Sequence, residues 1–391
     1  MQRRMAIGND PLIGTPLIYI VAGEASGDVL GARLAGAIHA FHPTARFAGV
    51  GGPRMAERGI ESLFPLADLA VMGLVEVLPR LRLLRRRLRE IDADIRHRRP
   101  DVIVTIDSPG FMHRILRTLG PGHAKRVHYV APQVWAWREH RVREFPGLWD
   151  KLLCLLPFEP EWFARHGLDA TFVGHPVLES GAGSGDATRF RTAHGIGDAP
   201  VLVLMPGSRR SEVPRLLPVF GQTLALMVRE MPGLVPVLPI SALVEATVRH
   251  AVKAWPVQPI VVTTLDDKHD AYAAAGAALT KSGTSTLELA LAGVPMAVTY
   301  RLNPISAVMA RRMIRVPHVA MVNLLAHRAL VPELLQQDCN PAILAKTALR
   351  LLQDKTVAEA QRAGFATVIE SLRPPAGTPS EAAAREVLSL L

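Results

Sequence analysis

Residues 277–300 read AALTKSGTSTLELALAGVPMAVTY, and this stretch restricts the fold more than any other. An apolar run ends at Thr280, the polar loop Lys281-Ser282-Gly283-Thr284 follows, and residues 286–292 are rich in Leu and Ala. Gly293 stands where a helix C′ residue belongs, Pro295 forbids continuation, and residues 296–300 read as the next strand. Strand, tight loop, helix and strand in so few residues make a parallel α/β unit. The loop of such a unit lies at the carboxyl end of its strand, where free N–H groups and the positive end of the helix dipole favour an anion. Ser282, Gly283 and Thr284 are therefore candidate phosphate contacts. Glu288, one turn into the helix, is placed to accept hydrogen bonds from a ribose diol. Ser285-x-x-Glu288 is equally a capping-box pattern, and one residue can serve both roles.

The first half of the chain follows the same plan. Residues 17–22 form a strand that runs into Gly23-Glu24-Ala25-Ser26-Gly27-Asp28, and Leu30, Leu34, Ile38 and Phe41 share one face of the next helix. A second strand leads from Phe47 into a glycine turn. Residues 102–106 are a buried strand with Asp107 at its carboxyl end, before Ser108-Pro109-Gly110. A carboxylate there is placed to take a proton from a hydroxyl, although Asp before Ser-Pro-Gly also simply organises a turn. Strands follow at 126–130, 151–156 and 171–173. Between them Trp135 and Trp137, two of the five tryptophans, share a loop suited to a sugar or acyl group or to plain packing. His175, before Pro176, fits either a structural turn or a ligand contact.

Composition shifts at residues 179–186, ESGAGSGD, which marks a domain boundary. The expected organisation is a first domain over 1–176, a linker at 177–187, a second domain over 188–360 and C-terminal helices over 361–391. In the second half a strand at 201–205 precedes Pro206-Gly207-Ser208-Arg209. Gly207 permits close backbone approach, with Ser208 beside it, and Arg209 offers a fork for phosphate oxygens. Strands at 235–239 and 260–263 lead to the opening unit. Beyond it come a helix at 303–315, the polar residues Asn323, Glu333 and Gln336, suited to sugar hydroxyls or to capping, and helices at 342–352, 356–372 and 380–391. The fold class is α/β, two Rossmann-like domains facing a central cleft, with closing helices at the C-terminus.

Residues 71–99 stand apart. Met72, Leu74, Val75 and Leu78 belong to an apolar patch, and Leu81, Leu84, Leu88, Ile91 and Ile95 continue it at helical spacing among Arg82, Arg85, Arg86, Arg87 and Arg89. Such a segment suits an anionic membrane surface, and equally an outer helix of an α/β layer with a solvated face. The 391 residues carry a formal charge of +10, which calls for an anionic partner, while 5% aromatic residues weaken a single-strand nucleic-acid platform. Mean hydropathy is high at +0.19, yet no apolar run reaches the roughly 20 residues of a spanning helix. Cys154 and Cys339 are the only cysteines, with no C-x-x-C, as expected in the cytoplasm.

G-x-G-x-x-G, a P-loop, H-E-x-x-H and G-x-S-x-G are all absent, which sets aside dinucleotide binding by that fingerprint and hydrolysis by zinc or a serine triad. The ordered motifs AGEASGD at 22–28, GVGGPRM at 49–55, MGLVEVLPRL at 72–81, IDSPGF at 106–111, HYVAPQVWAWR at 128–138, LLPFE at 155–159, FVGHP at 172–176, MPGSRRSE at 205–212, KSGTSTLELAL at 281–291 and VPELLQ at 331–336 resemble those of the lipid-A-disaccharide synthases. That resemblance implies the two-domain GT-B architecture. It also implies inverting transfer of a diacylated glucosamine from UDP to the 6-hydroxyl of diacylglucosamine 1-phosphate, with no metal or cofactor.

It further implies Asp107 as the base, Ser26 near the reacting centre, and Arg209 with the 282–284 loop and Glu288 on the UDP donor. Glu24, Gly27, His175, Asn323, Glu333 and Gln336 become acceptor or cleft candidates. The chain departs from the family pattern at Gly110 and at Met112-His113. Both substrates carry acyl chains, so peripheral attachment to the cytoplasmic face of the inner membrane is expected, with no nucleic acid and a homodimer left open. The rival readings are another GT-B UDP-GlcNAc enzyme, a transferase or a UDP-sugar 2-epimerase, and a basic nucleic-acid-binding protein whose charge is not gathered on a recognisable motif.

Overall fold

The computed structural model describes residues 15–69, 74–120, 122, 124–209, 212–302 and 316–391, with the backbone alone over 74–80. The expected helix at 303–315 and Met72 lie outside them. The chain divides into two compact units, one taken from 1–134, 139–176 and 374–391, the other from 135–138 and 177–373.

The first unit is a six-stranded sheet of β1 (Leu17–Ala22), β2 (Arg46–Val50), β3 (Val102–Ile106), β4 (Lys125–Tyr129), β5 (Lys151–Cys154) and β6 (Ala170–Phe172), in the order β2-β1-β3-β4-β5-β6. Every pairing is parallel, for example Ile20 to Val104 and Val104 to Val127. Strands covered by helices on both faces must be apolar throughout, and Val102, Val104 and Ile106 are fully buried. One face packs against helices Ala25–Phe41 and Pro379–Leu388, with Leu34, Ile38, Ala383 and Val387 in the same core. The other face carries Leu84, Ile91 and Ile95 of helix Leu74–Arg98 and Ile115 of helix Pro109–Leu119.

Helix Leu74–Arg98 is thus an outer helix of the α/β layer, and several of its arginines are internally paired. Arg87 reaches Asp68 at 2.6 Å and Arg86 reaches Glu90 at 2.8 Å, while Arg96 and Arg98 bond Asp92 and Asp94 one turn earlier. Arg82, Arg85 and Arg89 are exposed and make no ion pair with a described residue. Leu74, Val75 and Leu78 lie on this helix, but their side chains are outside the described set.

The second unit holds β7 (Val201–Met205), β8 (Val235–Pro239), β9 (Ile260–Val262), β10 (Ala277–Lys281), β11 (Met296–Tyr300) and β12 (Glu333–Leu335), in the order β12-β11-β10-β7-β8-β9. β12 was not legible in the sequence, because Glu333-Leu334-Leu335 is too short for any period to show. The glycine-rich stretch that reads as a loose linker by composition is tied down. The Asp186 amide bonds Asp270 at 2.7 Å, and the Asp186 carboxylate caps helix Ala187–His194. Helix Ser285–Leu291 ends where expected, with Gly293 at φ +69°.

Candidate functional site

In an open parallel sheet, ligands bind where the strand order reverses, because the loops leaving the two flanking strands splay apart and leave a crevice. In the first unit this point lies between β1 and β3, and in the second between β7 and β10. The loops after these four strands are those singled out by the motifs.

Between β1 and β3 stands Asp107, at φ +54°, followed by Ser108 at φ +41°. Two successive non-glycine residues in the left-handed region are held against a strain of about 1–3 kcal/mol each. The restraints are the Asp107 amide donating to the Tyr129 carbonyl at 2.9 Å and the Ser108 amide donating to Asp107 Oδ1 at 2.7 Å, with Pro109 opening the next helix. Burial raises the Asp107 carboxyl above its ordinary value, and the Ser108 N–H partly opposes the shift. A more basic carboxylate is a better proton acceptor.

The β1 loop closes on this residue. Ser108 Oγ donates to Glu24 Oε1 at 3.4 Å, and a Cβ added to Gly23 would fall 2.4 Å from Ser108 Cβ, so only glycine fits there. Ser26 is exposed on the first turn of helix Ala25–Phe41, and Gly27 is buried beneath it. Asp28 accepts the amides of Gly52, Arg54 and Met55 at 2.7–3.0 Å and so anchors the GVGGPRM loop beside the same edge. His175 is buried, its pKa pushed down to about 4 by desolvation.

The crevice between β7 and β10 is a cavity of about 610 Å³, lined by Gly207, Ser208 and Arg209 from one loop and Lys281, Ser282, Gly283, Thr284 and Glu288 from the other. Ile240, Val262 and Leu265 supply an apolar wall. Gly207 takes φ +109°, which brings its backbone against the Glu212 carboxylate. Ser282 Oγ donates to the Val319 carbonyl at 2.9 Å, leaving Gly283 and Thr284 exposed at the loop tip.

The capping-box reading of Ser285 and Glu288 fails. Ser285 lies within the helix and its hydroxyl meets Thr280 Oγ1 at 3.2 Å, while Glu288 turns to Lys268 Nζ at 2.7 Å and Tyr272 Oη at 3.2 Å. Glu288 thus lines the cavity with a carboxylate fixed by two partners. Lys268, Lys281, Glu212 and Tyr272 escaped sequence reasoning. Lys281 opens the KSGTS motif and was signalled by it, whereas Lys268, in Asp267-Lys268-His269, carries no local signal.

The structure does not gather the later polar candidates into this cavity. Asn323 is fully buried, bonding the Val331 carbonyl and amide at 2.9 and 2.8 Å and Glu333 at 2.8 Å, so it has no surface to offer a sugar. Glu333 accepts the amides of Val319 and Ala320 at 3.0 Å. Both hold the segment before β12. Gln336, at φ +53°, sits half-buried past the carboxyl end of β12, its amide on the Tyr300 carbonyl. His113, where the family pattern departs, is packed against Phe145 and Trp149, with ring centroids 4.9 and 5.4 Å away. Trp137 is exposed, with the Arg138 guanidinium 4.0 Å above its ring.

The family model for lipid-A-disaccharide synthetase matches residues 18–387. A lipid-A-disaccharide synthase of Gluconobacter oxydans (strain 621H) is 61% identical over 96% of this chain and 91% of its own length. One from Granulibacter bethesdensis is 59% identical over 96% of this chain and 99% of its own. Among solved structures, the glycotransferase of kitacinnamycin superposes with a TM-score of 0.63 at 16% identity, covering 96% of this chain and 99% of its own, a likeness of fold alone. The two parallel sheets are those of the GT-B glycosyltransferase architecture. The chain belongs to the lipid-A-disaccharide synthetase family, hexosyltransferases of lipid A biosynthesis.

Proposed function

We propose that the chain condenses UDP-2,3-diacylglucosamine with 2,3-diacylglucosamine 1-phosphate, giving the β-1′,6-linked disaccharide 1-phosphate and UDP. The observation that carries this reading is the identity of 61% across 96% of the chain. Asp107 takes the proton from the acceptor 6-hydroxyl as its oxygen attacks the anomeric carbon, and attack from the face opposite UDP inverts that centre. The diphosphate leaves with its growing charge met by Arg209, Lys281 and the backbone amides of the 283–284 loop, preorganised charges of the kind that lower such a barrier most. Glu288, fixed by Lys268 and Tyr272, holds the ribose diol. Ser26 and Glu24 border the acceptor.

The reaction is tested by measuring UDP release from the donor with and without acceptor in detergent micelles. Release that requires the acceptor, with a disaccharide phosphate formed, is expected. Release without acceptor transfers the fold to an epimerase-like activity and removes the proposal.

We place the protein peripherally on the cytoplasmic face of the inner membrane. Among the described residues no helix is long and apolar enough to cross a bilayer. A groove of about 360 Å³ between helices Leu74–Arg98 and Pro109–Leu119 has Leu81, Leu84 and Leu88 beside Arg85, Arg114 and Arg117, apolar surface edged by cations. Co-sedimentation with phosphatidylglycerol vesicles is expected at low salt and should fall as salt rises, with little on phosphatidylcholine. Equal recovery on both lipids at all salt concentrations would exclude the electrostatic part of this reading.

A further inference from the structure

Two of the cations that line the donor cavity, Arg209 and Lys281, already share an anion that stands behind them. Glu212 opens helix Val213–Glu230, and its side chain is only 11% exposed. Its Oε1 lies 3.1 Å from Lys281 Nζ and 3.3 Å from Arg209 Nη1, and its Oε2 would be 2.8 Å from a Cβ on Gly207. One carboxylate therefore joins both switch-point loops and neutralises two of the cations that face the cavity, while Lys268 is held by Glu288. A salt bridge to one cation would suffice to hold Lys281, whereas Glu212 also reaches Arg209 on its own loop and lies against Gly207.

We propose that Glu212 is the resident counter-anion of the diphosphate subsite, pairing with Lys281 and Arg209 in the empty enzyme and competing with the donor's phosphates for them on binding. A dianion entering the cavity must draw the two cations from a carboxylate that takes them back when UDP leaves. The arrangement keeps the two cations ordered between turnovers and weakens the hold on product UDP. It rests on the donor-site reading above.

The test is UDP affinity, by titration calorimetry on the full chain, together with steady-state kinetics. Glu212→Gln keeps the volume and a hydrogen bond to Lys281 but removes the competing charge. UDP should bind about tenfold or more tightly, with UDP inhibition tightened by a similar factor and the donor KM lowered. Glu212→Asp should stay close to wild type. Thermal melting of each variant checks that the fold is intact. Weaker UDP binding in Glu212→Gln, with melting unchanged, would make Glu212 a positioning residue for Lys281 and overturn the proposal. Unchanged affinity would overturn it as well. Absence of UDP binding to the wild-type protein would instead discard the donor-site reading beneath it, so the two failures are distinguishable.

Discussion

Asp107→Asn should lower kcat on the order of 10²-fold or more while leaving UDP affinity at the wild-type value. Asparagine is the informative substitution because it tolerates the left-handed backbone found at this position and its carbonyl can still accept the Ser108 amide. Alanine would remove the base and the turn geometry together. What asparagine cannot do is take a proton. The buried carboxyl titrates above its ordinary value, so the wild-type rate should fall on the acid side at a higher pH than a solvated Asp would give, and this limb should vanish from the residual activity of the variant. Single-turnover kinetics with saturating donor separate the chemical step from binding. Turnover within a few-fold of wild type would remove Asp107 from proton transfer.

Acid should destabilise the first unit more than the second. His113 and His128 are buried in the first unit, with pKa values pushed down to about 4 and about 3, and His175 to about 4. Desolvation is the leading cause in each, and Arg141 and Arg117 add to it at His113. Among the described residues neither nitrogen of His113 has a hydrogen-bond partner, while His128 meets Thr105 Oγ1 at 2.8 Å and stacks on Trp149.

Because the folded values lie below the unfolded value, the unfolded chain takes up protons that the folded chain refuses. Stability is complete above about pH 6.5 and is lost as pH falls toward 4. Each histidine contributes a slope of about 1.4 kcal/mol per pH unit, so all three give about 4 kcal/mol per unit. Two such units remove about 8 kcal/mol, comparable with the roughly 5–15 kcal/mol that a domain holds in all. Calorimetry between pH 7 and 5 should show the melting temperature dropping steeply, and His113→Phe should flatten the slope by about a third. A melting temperature constant over that range would contradict buried neutral histidines.

Much of the architecture was legible because a parallel strand buried on both faces is written in a handful of consecutive residues. Val102–Ile106 and Met296–Tyr300 could be read directly, as could the stop at Gly293 and Pro295. β12 could not, since three residues carry no period. The positions of Asp107 and Arg209 were legible for a similar reason: each follows a readable strand, and a strand's carboxyl end is where an α/β sheet exposes its ligand edge. The backbone contacts of Asn323 and Glu333 were not legible, because a polar side chain has the same appearance in a sequence whether it faces a ligand or a backbone amide.

The sequence by itself determined the two layered α/β units, the loops that face their ligand edges and the family to which the chain is related, because strand burial, turn chemistry and motif order are all local. The tertiary structure alone decided which charges are committed and which are available. Ser285 and Glu288 part company although their spacing suits a capping box, the arginines of helix Leu74–Arg98 divide into paired and unpaired, and Glu212 settles between Arg209 and Lys281. The physical reason is that an ion pair falls off over a few ångströms and takes no account of separation along the chain. Lys281 ends β10 and Glu212 opens the helix that follows β7, and only the order β10-β7 in the folded sheet makes them neighbours.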